Sequence, residues 1–233
     1  IRVVSDRLGG FVAAWYDRAG ASTYALRANV FDATKRAWKV QSAQITASVE
    51  ANAHVALAAS PGGAALAWRT PSALASSHVT VARYVGGAWE AGVDVSKNSA
   101  GDVDDPDVAI ARSGEVVVAW PEGGAAQGLK LARHTPAVGW SAPSVLSAEQ
   151  GDALRIALDD GGHGYVVWSQ DSTRLRGVRI RAGVAAAPSW LTPARHGWTA
   201  AATLAVNACG QGVLTATYDN SGTKDPVDAL LFR

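Results

Sequence analysis

A single cysteine, Cys209, excludes any intrachain disulfide, and methionine is absent altogether. The cysteine sits in the apolar run "TLAVNACGQG", which predicts a buried, inert thiol. The missing initiator methionine points to a processed or trimmed chain. No stretch approaches the ~20 continuous apolar residues of a membrane span, and the start "IRVVSDRLGG" has no signal-peptide profile. Long runs of one charge are also lacking: 21 basic and 20 acidic residues leave a formal net charge of +1, without the electrostatic footprint that nucleic acid or anionic lipid requires. Neither is an expected partner. What is present is 48% hydrophobic residues and 24 glycines in 233 residues, the composition of a globular chain with a substantial core.

The tryptophans carry the pattern. One phrase, a glycine followed by small and β-branched residues, a tryptophan and a polar turn, recurs as "GGFVAAWYD", "GGAALAWRTP", "GEVVVAWPEGG" and "GYVVWSQD". It ends at Trp15, Trp68, Trp120 and Trp168, with Tyr218 in a fifth copy, at spacings of 53, 52, 48 and 50 residues. A second series, Trp38, Trp89, Trp140 and Trp190, follows at 51, 51 and 50. Within each unit, apolar alternation, β-branched residues and Gly, Pro or Asn punctuation mark four short strands, and no ten-residue stretch has helical period.

Four-stranded units of roughly 40 to 50 residues in tandem are the signature of a β-propeller. A β-sandwich has no reason to repeat its tryptophans at this interval, and a β-helix repeats on a shorter coil. The expectation is an all-β, single-domain propeller with blades at about 1–47, 48–99, 100–148, 149–195 and 196–233, the last with three strands. The phrase is the second strand of each blade, and its tryptophan packs one blade on the next. Five such repeats suffice for a closed ring; upstream residues would be the other way to complete it.

The motifs "G-x-V-V-V-A-W" and "G-W-S-A-P-S-V-L-S" resemble the Trp-rich blades of bacterial exported propellers, a broad group that includes sialidase-like and lectin-like members. The resemblance covers nearly the whole chain and implies a secreted, periplasmic or cell-surface protein, in keeping with scarce cysteine. These motifs build blades and identify no activity. The Ser-x-Asp-x-Gly-x-x-Trp box and the Phe-Arg-Ile-Pro segment of sialidases are absent.

Strand order puts the loops entering strand 1 and those joining strands 2 and 3 on one face, and short glycine turns on the other. Function is expected on the first face. His54, Asp107, Arg155 and Thr203 each directly precede the apolar core of a first strand, which predicts a shared register around the upper channel. Glu122 and Asp171 follow the phrase tryptophans. Trp198, the one tryptophan outside both series, stands with Arg195 and His196 before the fifth unit; an indole beside hydrogen-bonding groups suits a sugar ring. The set predicts a non-catalytic, glycan-binding propeller. The alternatives are a glycoside hydrolase, which needs one protonated and one ionised carboxyl drawn from channel-mouth carboxylates, and a protein-interaction scaffold.

"GDVDDPDV" places Asp102, Asp104 and Asp105 close together, and hard oxygen ligands at that spacing could hold calcium. It lacks the glycine and terminal glutamate of an EF-hand loop, and Asp-Pro is ordinary turn chemistry, so a solvated turn without metal or other cofactor is the expectation. Arg27, Arg83, Arg133 and Arg179 recur on the third strands, as charges that discourage edge pairing do.

Overall fold

The structure, a computed structural model, describes the chain except residues 21–22, 51–53, 71–76, 98–100, 125–126, 171–173, 182–183, 193–197, 219–226 and 233, and the side chains of 48, 50, 198–202, 217–218, 227–228 and 232. Five antiparallel sheets follow one another along it. The first contains β1 (Arg2–Ser5), β2 (Phe11–Arg18), β3 (Thr23–Asp32), β4 (Ala37–Trp38) and β5 (Ala43–Glu50). The second contains β6 (Val55–Ser60), β7 (Gly63–Thr70), β8 (His78–Val85), β9 (Ala88–Trp89) and β10 (Val93–Asp94). The third contains β11 (Asp107–Ile110), β12 (Val116–Glu122), β13 (Gly128–Thr135), β14 (Gly139–Trp140) and β15 (Ser144–Ser147). The fourth contains β16 (Asp152–Leu158), β17 (Gly164–Gln170), β18 (Arg174–Arg181), β19 (Val184–Ala185) and β20 (Ser189–Trp190), and the fifth β21 (Trp198–Val206), β22 (Gly212–Tyr218) and β23 (Val227–Phe232).

In the first four sheets the last two segments both pair with the third strand. Each is therefore a four-stranded blade whose outer strand is broken in two. The inner strands β1, β6, β11, β16 and β21 pack in that order, and all five line one central channel. This is the β-propeller, and among the described residues the fifth blade has three strands, as expected.

The second strand of a blade has neighbouring blades over both faces, so it reads as a continuous apolar run rather than an alternation. Every residue of β17 is buried, whereas the inner strand β16 alternates. Three of the four phrase tryptophans face the preceding blade, and Trp15 of the first blade is half-buried beside a cavity. Trp68 packs with Ala14, Leu26 and Val49, Trp120 with Ala67, Val79 and Val81, and Trp168 with Ala119, Leu129 and Leu131. Close packing sets the local glycines: a Cβ on Gly151 would lie 2.2 Å from Cδ1 of Trp168. Gly63, at φ +131°, closes the tight turn of the second blade.

Polar contacts add cross-links between blades. Ser60 Oγ donates to Ala111 O at 2.9 Å, and within the fourth blade Gln170 Nε2 donates to Gln150 O at 2.7 Å while its Oε1 accepts from Trp168 Nε1 at 3.0 Å. At the glycine-turn end Asp160 accepts from both Arg7 (3.3 Å) and Arg112 (2.8 Å), joining the first, third and fourth blades.

Two sequence expectations are corrected. Cys209 is exposed, because the apolar run stops at Val206 and a turn begins at Asn207, whose Oδ1 accepts from the backbone N–H of Cys209 and of Gln211. Arg27 does not share the place of the other strand-3 arginines. Arg83, Arg133 and Arg179 stand opposite Ala65, Val117 and Tyr165, each three residues before a phrase tryptophan, and the equivalent partner of Val12 is Val30.

Candidate functional site

Where the inner strands begin, side chains from four blades meet. A cavity of about 210 Å³ at the mouth of the channel is lined by Arg2 of the first blade, His54 of the second, Asp107 of the third and Arg155 of the fourth. Arg2, Asp107 and Arg155 occupy one level, opposite Ala14, Ala119 and Val167, each the residue before a phrase tryptophan. His54 and Thr203 are displaced from it. The second blade closes its hairpin with the pair Ser60–Gly63, leaving a two-residue turn where the others use longer connections, so Ala56 takes the equivalent place and His54 sits one pleat above. Thr203 pairs with Thr215, deeper along its strand. Arg2 is the residue that reading from the apolar runs misses. Counting back thirteen residues from Trp15, Trp120 and Trp168 finds Arg2, Asp107 and Arg155 alike.

Burial pushes the Asp107 carboxyl up to about 6, against the opposing pull of the Ile156 N–H, which donates to Oδ2 at 2.8 Å, and of the Arg155 and Arg2 charges. The same loss of water lowers His54 below its ordinary value, and Asp105, whose Oδ2 lies 3.5 Å from Nδ1, only partly offsets this. His54 is therefore neutral at pH 7. Beside it Tyr16, pushed up to about 12 by burial and then by the Asp105 charge, keeps its phenolic proton.

The acidic loop divides its carboxylates among separate partners. Asp102 accepts from the N–H and hydroxyl of Ser77, which hold it below the usual carboxylate range. Asp104 Oδ1 accepts from the Asp105 N–H at 2.8 Å, and Asp105 turns to His54. Among the described residues no three His, Cys, Asp or Glu side chains converge where a metal ion could sit. Calcium should accordingly leave the melting temperature unchanged; a concentration-dependent rise, lost on replacing Asp104 and Asp105 by Asn, would show that the loop gathers around the ion.

Glu122 is buried, 3% exposed, and lines none of the cavities described above. Asp171, Arg195 and His196 lie outside the described residues. Trp198 begins β21 opposite Tyr218, and its side chain lies outside them as well. No helix among the described residues is long and apolar enough to cross a membrane.

No protein-family model matches the chain, and no curated protein is similar to it. Among solved structures the chain is similar to an ulvan lyase of polysaccharide lyase family 25 bound to a GlcA(1-4)Rha3S saccharide, with a TM-score of 0.57 and 12% identity over 98% of this chain and 66% of that one. It is also similar to an endo-arabinase from Bacteroides thetaiotaomicron VPI-5482, with a TM-score of 0.50 and 10% identity over 99% and 92%. At such identity the likeness establishes the propeller fold. The chain spans 63% of the length of an α-L-arabinofuranosidase from Podospora anserina to which it is also similar, with a TM-score of 0.44 and 11% identity over 77% of this chain.

Proposed function

We propose that this propeller is a glycan-binding protein whose channel mouth takes a saccharide carrying an acidic group. The observation behind the reading is the convergence of Arg2, His54, Asp107 and Arg155, from four different blades, on one cavity. Two guanidiniums flank a single carboxyl there, and guanidinium donors match the planar oxygens of a carboxylate or sulfate ester. Neutral His54 adds an uncharged hydrogen-bonding group of the kind sugar hydroxyls use, and protonated Tyr16 lines an adjoining cavity with Arg2 and His54. The strand order read from the sequence assigns Arg195, His196, Trp198 and Asp171 to the same face, and these stay part of the proposed ligand surface; Glu122, 3% exposed, offers a ligand nothing.

A second reading rests on Asp107 alone. A carboxyl with a pKa near 6 is partly protonated at neutral pH, as the general acid of a glycoside hydrolase must be, and Asp105 at the rim supplies a second carboxyl.

A glycan array, followed by a hydrolysis screen on every saccharide retained, separates the two. Binding without turnover, with preference for uronate or sulfated chains, is the expected outcome. Arg2→Gln should lower that affinity about tenfold or more, since a charge-assisted hydrogen bond contributes roughly 1.5–3 kcal/mol, while the melting temperature stays within a degree or two of the parent. Cleavage abolished by Asp107→Asn would establish the hydrolase instead. An array without hits would remove both.

A further inference from the structure

We propose a second ligand site, in the groove between the first and second blades at the end of the propeller away from the channel mouth, and assign it to a neutral sugar residue. The internal repeat carries the argument. Between the second and third blades the groove is filled: Arg83 reaches across to Nδ1 of His134 at 2.9 Å, and His134 packs edge-on against Trp140 with ring centroids 5.3 Å apart. One blade earlier, Tyr84 and Trp89 hold the places of His134 and Trp140, 5.5 Å apart. The residue that should reach them is not arginine but Val30. Its side chain is too short. The groove is left as a cavity of about 450 Å³, within the ~300–1,000 Å³ range of small-molecule sites, whose walls include Val30, Gln41, Gln44, Ile45, Tyr84 and Trp89.

The chemistry of those walls selects the ligand. The charges at the rim are already engaged: Lys39 Nζ donates to Gly87 O at 2.5 Å and lies 5.0 Å from the Tyr84 ring centroid, and Glu90 holds the Arg83 guanidinium through both oxygens at 2.9 and 2.8 Å. Two aromatic rings, aliphatic surface and the exposed amides of Gln41 and Gln44 are what meets a ligand. A pyranose presents C–H groups to an aromatic wall and hydroxyls to amides that both donate and accept. An acidic sugar would meet Lys39 at the exposed rim, already donating to Gly87 O, with the Glu90 carboxylate lining the same groove against it. The site thus differs in preference from the channel mouth and does not depend on it.

The test is NMR titration of the folded protein with the methyl glycosides of glucose, galactose, mannose and xylose and with methyl glucuronide, following the Trp89 indole N–H, assigned through Trp89→Phe. At least one neutral glycoside should shift that resonance. Val30→Arg installs the side chain that the sister blades carry and should weaken the titration about tenfold or more, equivalent to roughly 1.4 kcal/mol. Arg2→Gln, at the mouth, should leave it unchanged. Should Val30→Arg fail to fold, Gln44→Ala at the exposed rim carries the same expectation of weakened binding. Absence of any shift with the neutral glycosides, an undiminished shift in folded Val30→Arg, or a stronger response to the glucuronide would each overturn the assignment.

Discussion

Trp120→Ala is expected to destabilise the protein by about 3–5 kcal/mol, the cost of emptying a large aromatic site that cannot collapse. Trp120 is fully buried and inserted among Ala67, Val79 and Val81 of the preceding blade, so the vacancy opens at a junction between two sheets. A drop of roughly 10 °C in melting temperature follows for a chain of this size. Trp120→Phe should recover most of that loss, because no hydrogen-bond partner of the indole N–H is found among the described residues and little polar energy is forfeited. Trp168→Phe should recover less, since its N–H donates to Gln170. A loss below about 1 kcal/mol for Trp120→Ala in denaturant unfolding would remove Trp120 from the core and with it the role assigned to the repeated phrase.

Asp107→Asn should raise stability at pH 7.5, and the gain should vanish on acidification. Folding desolvates this carboxyl and raises its pKa from an ordinary 3.8 to about 6. The folded state therefore binds the proton more tightly than the unfolded chain does. The penalty of keeping Asp107 ionised is present in full above about pH 6 and is relieved as pH falls from 6 towards 4. A shift near two units corresponds to a gain of up to about 3 kcal/mol from the neutral amide, whose oxygen retains the Ile156 N–H bond. The same substitution removes the one carboxylate flanked by Arg2 and Arg155, so binding of an acidic saccharide should tighten at pH 7.5 and lose its pH dependence near 6. A pH-independent stability difference would show that Asp107 is solvated in the folded protein.

The repeat alone was enough to read the propeller, the number of sheets and the three strands of the last one. Burial in this architecture is periodic along the chain, and a periodic environment leaves a periodic sequence: Trp68, Trp120 and Trp168 recur because each fills the same gap against the previous blade. Positions whose surroundings depend on turn length or on a neighbouring blade were not legible in this way. The two-residue turn after Ser60 moved His54 off the level of Asp107 and Arg155, and the strand pairing put Arg2 there. Glu122, which reads as a loop carboxylate, is buried, and Cys209, which reads as apolar core, is turned out to solvent. Most telling is Val30, an unremarkable strand residue until its register against Arg83, Arg133 and Arg179 is known. Local pattern decides which residues are strand and which are core, since both follow from period and side-chain type. Which polar groups face each other is decided by contacts between residues some fifty positions apart, and only the packing of blade on blade brings those together.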